Sequence, residues 1–439
     1  MKLYRTIKNA GKKVLISGLA LTALAIGAEK LNAQTVREQN INPAPIVQAL
    51  TAKPLESIIQ EKQELKEKKE AMPERKLILD FASPVSSFEA NSNLWYSANQ
   101  LFGKGSDFLG TRLELDKSLL GRFTLLSADV YRSLWLRMAS HELSHIKEGK
   151  KYGSYESRFE MNSLLDLANN FIKKFNYKPT DQELVKERIA GINQDEFNSY
   201  NLFKNSIDRL AFDDGISFLL SKLWDIGYNL YPCESSELGD VSSYVNHLNK
   251  KGISLSTKDH LLQSVLADAL SIQTWDSLKA VYNYFKTGER TIKSTALNLS
   301  GTTVTLPLIN HYLTENGSFY NLSSFIRLKE KKLIELSLGI DADFIGGGKV
   351  DCLRFGGQYS DLDLGEHKYI PTVSPFAYIN TTKSLNYQGF SVGIEAKLPV
   401  TKTTKLRAKV EYNHDDMIEN RIKGKDEGLN FVAGLYVQF

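Results

Sequence analysis

Cysteine is nearly missing from this chain. Cys233 and Cys352 are the only two among 439 residues. They lie far apart and neither sits at a metal-binding spacing, which excludes a disulfide scaffold and a cysteine-rich zinc module. No cysteine follows the N-terminal apolar segment, which argues against a lipoprotein. Charge imbalance is also small. The formal +4 comes from residues 1–33, which hold six cations and one anion; the remaining 49 cations face 50 anions. There is no basic stripe with interleaved aromatics, so nucleic acid is excluded as a partner. No Gly-x-Ser-x-Gly elbow or comparable nucleophile context is expected in the chain, so a lipid hydrolase of the outer membrane ranks last among the readings. Gly346-Gly347-Gly348-Lys349 is a turn rather than a phosphate loop, because its surroundings are strand-like.

Residues 1–33 have the layout of a secretory signal peptide. Cations run through Lys13, residues 14–28 are mostly apolar, and Leu31-Asn32-Ala33 precedes Gln34. The apolar stretch is short for a membrane span, and cleavage is expected near Ala33. Residues 34–76 read as a polar linker and helix. Pro43, Pro45 and Pro54 break its first part, and opposite charges follow at helical spacing over 60–70. Residues 77–123 read as possible strands, with Leu77, Leu79 and Phe81 alternating and a second short run around Leu109 to Leu115.

Residues 124–295 read as a helical unit. Ser127 is an expected N-cap. Thr180 and Glu183 spell a capping box. Further helices are expected over 213–231 and 260–286. Within the first helix, Val130, Leu134, Met138, His141 and His145 share one face, so an apolar stripe runs into two histidines.

From about residue 300 the apolar period changes toward two. Strands are expected over 303–314, 319–328, 332–344, 350–362, 369–381, 385–398, 405–413 and 429–439, most of them near the length of tilted barrel strands. In the last, Phe431, Ala433, Leu435, Val437 and Phe439 face one way. With the signal segment and the terminal Phe439, residues 296–439 resemble bacterial outer-membrane β-barrel proteins. That resemblance implies outer-membrane lipid as surroundings and contact with barrel-assembly machinery through Phe439. The fold class expected is therefore α+β: a helical unit plus antiparallel transmembrane barrel strands.

His141-Glu142-Leu143-Ser144-His145 carries the chemistry. Residues four apart lie on one helix face, so both imidazoles can reach one Zn²⁺ while Glu142 acts on water. This helix resembles the active-site helix of zincin metallopeptidases. The resemblance implies His141 and His145 as zinc ligands and Glu142 as general base in peptide hydrolysis. A third histidine at the metzincin spacing is missing, since Glu148 and Lys151 stand in that extension. A gluzincin-like glutamate is then expected as third ligand. Glu196 is the first choice, with Glu160 and Glu156 behind it and His247 and His260 weaker. Gly191, on the same expected helix, would let it approach the motif helix closely. Tyr152 and Tyr200 are candidate oxyanion donors. The alternative reading is a non-catalytic barrel, a pore or structural protein, with a helical insertion.

Overall fold

The computed structural model describes residues 75–82, 88–151, 154–161, 169–175, 180–230, 240–299, 302–328, 333–341, 352–360, 362–363, 371–382, 387–414 and 428–438. The expected signal segment, nearly all of the linker, Tyr152 and Phe439 lie outside them. The chain divides into two compact units, and almost every described residue belongs to the one formed by Pro73–Glu160 and Phe171–Phe439.

The protein is a mixed α and antiparallel β structure. Strand β1 (Lys76–Ala82) leads to helices α1 (Phe88–Arg112) and α2 (Leu119–Lys151). Strands β2 (Ser154–Met161) and β3 (Asn169–Phe175) pair as a separate ribbon. Helix α3 (Asp181–Asn205), strand β4 (Arg209–Ala211) and helices α4 (Phe212–Leu230), α5 (Asp240–Lys250), α6 (Thr257–Leu270) and α7 (Ile272–Thr287) follow, and β5 (Thr291–Lys293) pairs with β4.

The remaining strands are β6 (Ala296–Leu299), β7 (Thr302–Thr305), β8 (Leu308–Thr314), β9 (Gly317–Arg327), β10 (Leu333–Asp341), β11 (Cys352–Ser360), β12 (Leu362–Asp363), β13 (Thr372–Thr382), β14 (Tyr387–Pro399), β15 (Thr404–Asn413) and β16 (Gly428–Gln438). With β1 they form a twelve-stranded sheet of path β1-β16-β15-β14-β13-β11-β10-β9-β7-β6, with β8 also beside β9 and β12 beside β13. Its ends, β1 and β6, do not pair with each other, so the sheet is not closed into a barrel among the described residues.

From β10 to β16 much of this sheet has inverted polarity, whereas β8 and β9 bury Leu308, Leu313, Phe319 and Phe325. On β10, Leu336 is exposed while its neighbours Glu335 and Ser337 are buried. On β15, Leu406 and Tyr412 are exposed while Arg407, Lys409 and Glu411 are buried. Phe355, Ile379 and Phe431 are likewise exposed, and Arg354, Asn380 and Ser391 buried. The inward charges satisfy one another. Arg407 donates to Asp80 at 2.5 Å and to Glu395 at 3.2 Å, and Lys409 donates to Glu89 at 2.6 Å. The apolar core lies beneath, where Trp95, Tyr96, Phe203, Phe218 and Phe325 pack from α1, α3, α4 and β9.

Several sequence expectations need correction. Among the described residues of 77–123, only the start is strand; residues 88–112 are one helix, α1. Its apolar residues repeat at seven and eight, but polar Asn and Ser lie between them, which disguises the helical face. Helix α2 begins at Leu119, eight residues before the expected cap at Ser127. Ser118 does the capping, with its Oγ accepting the Gly121 N–H at 3.0 Å. The helix expected over 260–286 breaks at Ser271 into α6 and α7, and Pro307 separates β7 from β8. Gly389-Phe390-Ser391-Val392-Gly393 has the spacing of a nucleophile elbow, yet it runs straight through β14. There the Ser391 hydroxyl donates to Glu411 at 3.2 Å.

Candidate metal centre

Helices α2 and α3 pack tightly because of Gly191. A Cβ at that position would collide with the His141 imidazole. The glycine costs α3 about 1 kcal/mol of helix propensity relative to Ala, and in return the two backbones come close enough for α3 to touch the motif histidines. The capping box that starts α3 is present as the sequence implies: Thr180 accepts from the Glu183 N–H and Glu183 accepts from the Thr180 N–H.

Glu187, Gly191 and Asp195 follow one another at four-residue steps along α3 and form the stripe that faces α2. His141 Nδ1 donates to Asp195 Oδ2 at 2.8 Å, and Arg137 pairs with the same carboxylate. The Arg137 guanidinium in turn stacks on Trp224, 4.5 Å from the ring centroid. His145 Nδ1 donates to the Glu187 backbone carbonyl at 2.7 Å. Each imidazole therefore has its Nδ1 engaged by an oxygen acceptor, which leaves Nε2 for other work.

Both Nε2 atoms meet at one place. His141 Nε2 and His145 Nε2 each lie 3.3 Å from Asp240 Oδ2, at the start of α5. The rings stand nearly perpendicular, centroids 4.8 Å apart. The three ligand atoms fall within 4.8 Å of one another. All three residues are buried, at 1%, 4% and 9% exposure for His141, His145 and Asp240.

The electrostatics follow from this packing. Burial alone lowers the His145 pKa, but Asp240 above all, with Glu187 and Glu142, overcomes it and raises the value to about 10. Burial likewise lowers the His141 pKa, and Asp195 with Asp240 overcomes it, so that the net shift is upward. Burial would push the Asp240 carboxyl up, yet the two imidazoles hold it far below the usual carboxylate range.

The donor set fits a divalent cation. Two imidazole Nε2 atoms and one carboxylate oxygen, backed by a carboxylate and a carbonyl on the Nδ1 atoms, match the ligand types and outer partners of zinc sites. Glu142, half-buried on α2, is adjacent in sequence to His141.

Glu196 does not join this cluster. Neighbouring Asp195 takes the α2 face, and Glu196, one residue on, turns about 100° away. It accepts from Lys222 Nζ at 2.5 Å, from Asn310 Nδ2 at 2.8 Å and from the His311 N–H at 3.2 Å. Glu156 and Glu160 fall in strand β2. His247 shares α5 with Asp240 outside the cluster, and His260 belongs to a different one, with Asp225 and His311. Tyr200 donates to Glu335 at 2.6 Å and so turns to the sheet.

Asp240, Asp195 and Glu187 escaped sequence reasoning. Asp240 lies far beyond the motif, and no spacing rule links it to His145. For the other two a signal existed: stepping by four from Gly191 reaches both. No family model, curated protein or solved structure matches the chain.

Proposed function

We propose that this chain is a zinc-dependent peptidase of the bacterial outer membrane, with Glu142 as general base. The observation that carries the reading is the convergence of His141 and His145 Nε2 on Asp240 within an H-E-x-x-H helix. Zinc bound there supplies Lewis acidity, which activates water at neutral pH and polarises a scissile carbonyl. Asp195 and the Glu187 carbonyl fix the tautomers in which both Nε2 lone pairs are free to ligate. Asp240 contributes the anionic ligand, the role the sequence suggested for Glu196. Glu142 takes the proton from the attacking water and passes it to the leaving amine, a step of general base catalysis that contributes roughly 10²–10⁴-fold. The substrate is a peptide or protein of the cell envelope.

The outer-membrane assignment is supported by the inverted sheet, whose apolar side chains point out and charged ones in, as in lipid-embedded strands. Among the described residues no helix is long and apolar enough to cross a membrane.

Full-length protein extracted from membranes tests the reading. Zinc at equimolar level, with peptide cleavage by wild type and much slower cleavage by Glu142→Gln, is expected. A preparation that binds no zinc removes the enzyme reading.

A second reading, a non-catalytic pore or structural barrel, is favoured by a polar cavity between the sheet, α1 and α3. Glu89, Lys204, Arg327, Glu395, Arg407 and Lys409 are among its lining residues. A conductance step in planar bilayers that is unchanged by His141→Ala would favour it.

A further inference from the structure

We propose that helices α1, α6 and α7 stand in the lipid-facing wall beside the strands, with their apolar faces against the acyl chains of the bilayer. This rests on the outer-membrane reading above.

The first observation is that these helices share the inversion of the sheet. On α1, Leu94, Leu101, Phe102, Phe108 and Leu109 are exposed, while Asn91, Asn99, Gln100 and Asp107 are buried beside Trp95 and Tyr96. Seven- and eight-residue steps place the exposed set in one stripe along the helix. On α6, Leu262, Leu266 and Leu270 are exposed while Gln263, Ser264 and Asp268 are buried. On α7, Trp275, Leu278 and Tyr282 are exposed while Gln273, Asp276 and Ser277 are buried. A helix packed on a water-soluble core has the opposite arrangement. In water each such side chain forgoes the favourable free energy of burying its apolar surface. Because half of each helix is polar, hydropathy averaged around the turn conceals a lipid-facing half.

The second observation is independent of exposure. The sheet is open, and an open strand edge is not tolerated in hydrocarbon, where every unpaired backbone group costs several kcal/mol. Helical side chains stand where the next strand would pair. At β1, Ser97 of α1 accepts the Ile78 N–H at 2.7 Å and donates to the Ile78 carbonyl at 2.9 Å. At β8, Asn193 of α3 accepts the Leu313 N–H at 2.8 Å and donates to the Leu313 carbonyl at 2.9 Å. Glu196 takes the His311 N–H two residues earlier. Helix α1 thus satisfies the free edge of β1, and side chains of α3 do the same at β8, the strand beside β9.

Site-directed spin labelling of the full chain tests this. In a Cys233→Ser, Cys352→Ser background reconstituted into phosphatidylethanolamine–phosphatidylglycerol vesicles, labels are placed at Leu101→Cys, Leu266→Cys and Leu278→Cys on helices. Phe355→Cys and Phe431→Cys sample strands, and Lys402→Cys an aqueous turn. Collision with oxygen, which concentrates in lipid, is compared with collision with a water-soluble nickel chelate. Oxygen-dominated collision at helix and strand positions alike, with nickel dominating at Lys402→Cys, is expected. Strand labels in lipid with helix labels open to nickel, or shielded from both probes as under a second protein surface, overturns the proposal and leaves the membrane reading intact. Nickel dominance at every position overturns both. A measurement without surface cysteines guards against misfolding: brominated acyl chains should quench the wild-type tryptophan emission, and Trp275→Phe should remove a clear share of that quenching. Identical quenching in the two proteins counts against α7.

Discussion

Two buried histidine clusters can be compared directly. His141, His145 and Asp240 form one; Asp225, His260 and His311 form the other; in each, three ligand atoms lie within 4.8 Å. By proximity alone they are equivalent. They differ in how their rings are held. In the first, Nδ1 of each histidine is held by an oxygen of α3 and both Nε2 atoms meet at one carboxylate oxygen. In the second, His311 has Ser264 Oγ at 3.2 Å on Nδ1 and Ser318 Oγ at 2.9 Å on Nε2. Ser264 also donates to Asp225 at 2.6 Å. That ring is threaded into a hydroxyl network, which serves a buried polar interior well without any cation. Convergence of ring nitrogens left over after their outer partners are satisfied, rather than closeness, is what distinguishes a cation cradle.

The largest effect expected concerns the first cluster itself. His145→Ala should abolish stoichiometric zinc binding while His311→Asn leaves it unchanged; zinc retained in the former breaks the comparison. Next, Glu142→Gln should keep zinc and lower peptide cleavage by about 10²–10⁴-fold, the range of general base catalysis. Assay of bound metal and turnover on one preparation separates these two variants. Asp195→Asn should be milder. Loss of an outer partner typically costs 10–100-fold in metal affinity, readable by competition with a chromogenic chelator.

Gly191→Ala addresses the packing beneath the cluster. A methyl group driven against His141 should destabilise the fold by about 1–3 kcal/mol and weaken zinc as well, whereas Gly105→Ala, with open space around its Cβ position, should do neither. Thermal denaturation with and without metal measures both. The smallest effect is in pH. The His145 pKa is raised to about 10 in the metal-free fold. A raised pKa means that its contribution to stability is complete below about 6.5 and is lost as pH climbs through about 10. Metal must displace those protons, so zinc affinity should rise with pH across the neutral range. A flat dependence would mean that the imidazoles are not protonated when the cation is away.

What could be read in advance depended on periodicity. The strands from β9 to β16 were legible because alternate residues switch between apolar and polar, and the inversion of inside and outside leaves that period intact. The capping box at Thr180 and the close approach at Gly191 were legible because each is local chemistry. Helix α1 was not, since polar Asn91, Asn99, Gln100 and Asp107 are buried on it beside Trp95 and Tyr96 while Leu94, Leu101 and Phe108 are exposed, which blurs the usual cue. Glu196 looked like a ligand by residue type; on α3 it is the neighbouring Asp195 that faces α2, and it holds His141 Nδ1 rather than the ligand position. Asp240 is brought to the site by the docking of α5, which no motif spacing encodes.

The most direct test is the anomalous diffraction of zinc from crystals of the full chain. A peak is expected within about 2.0–2.2 Å of His141 Nε2, His145 Nε2 and an Asp240 oxygen, with none beside His260 and His311. A peak at the second cluster instead, or no peak at either under saturating zinc, would contradict a zinc site at His141, His145 and Asp240.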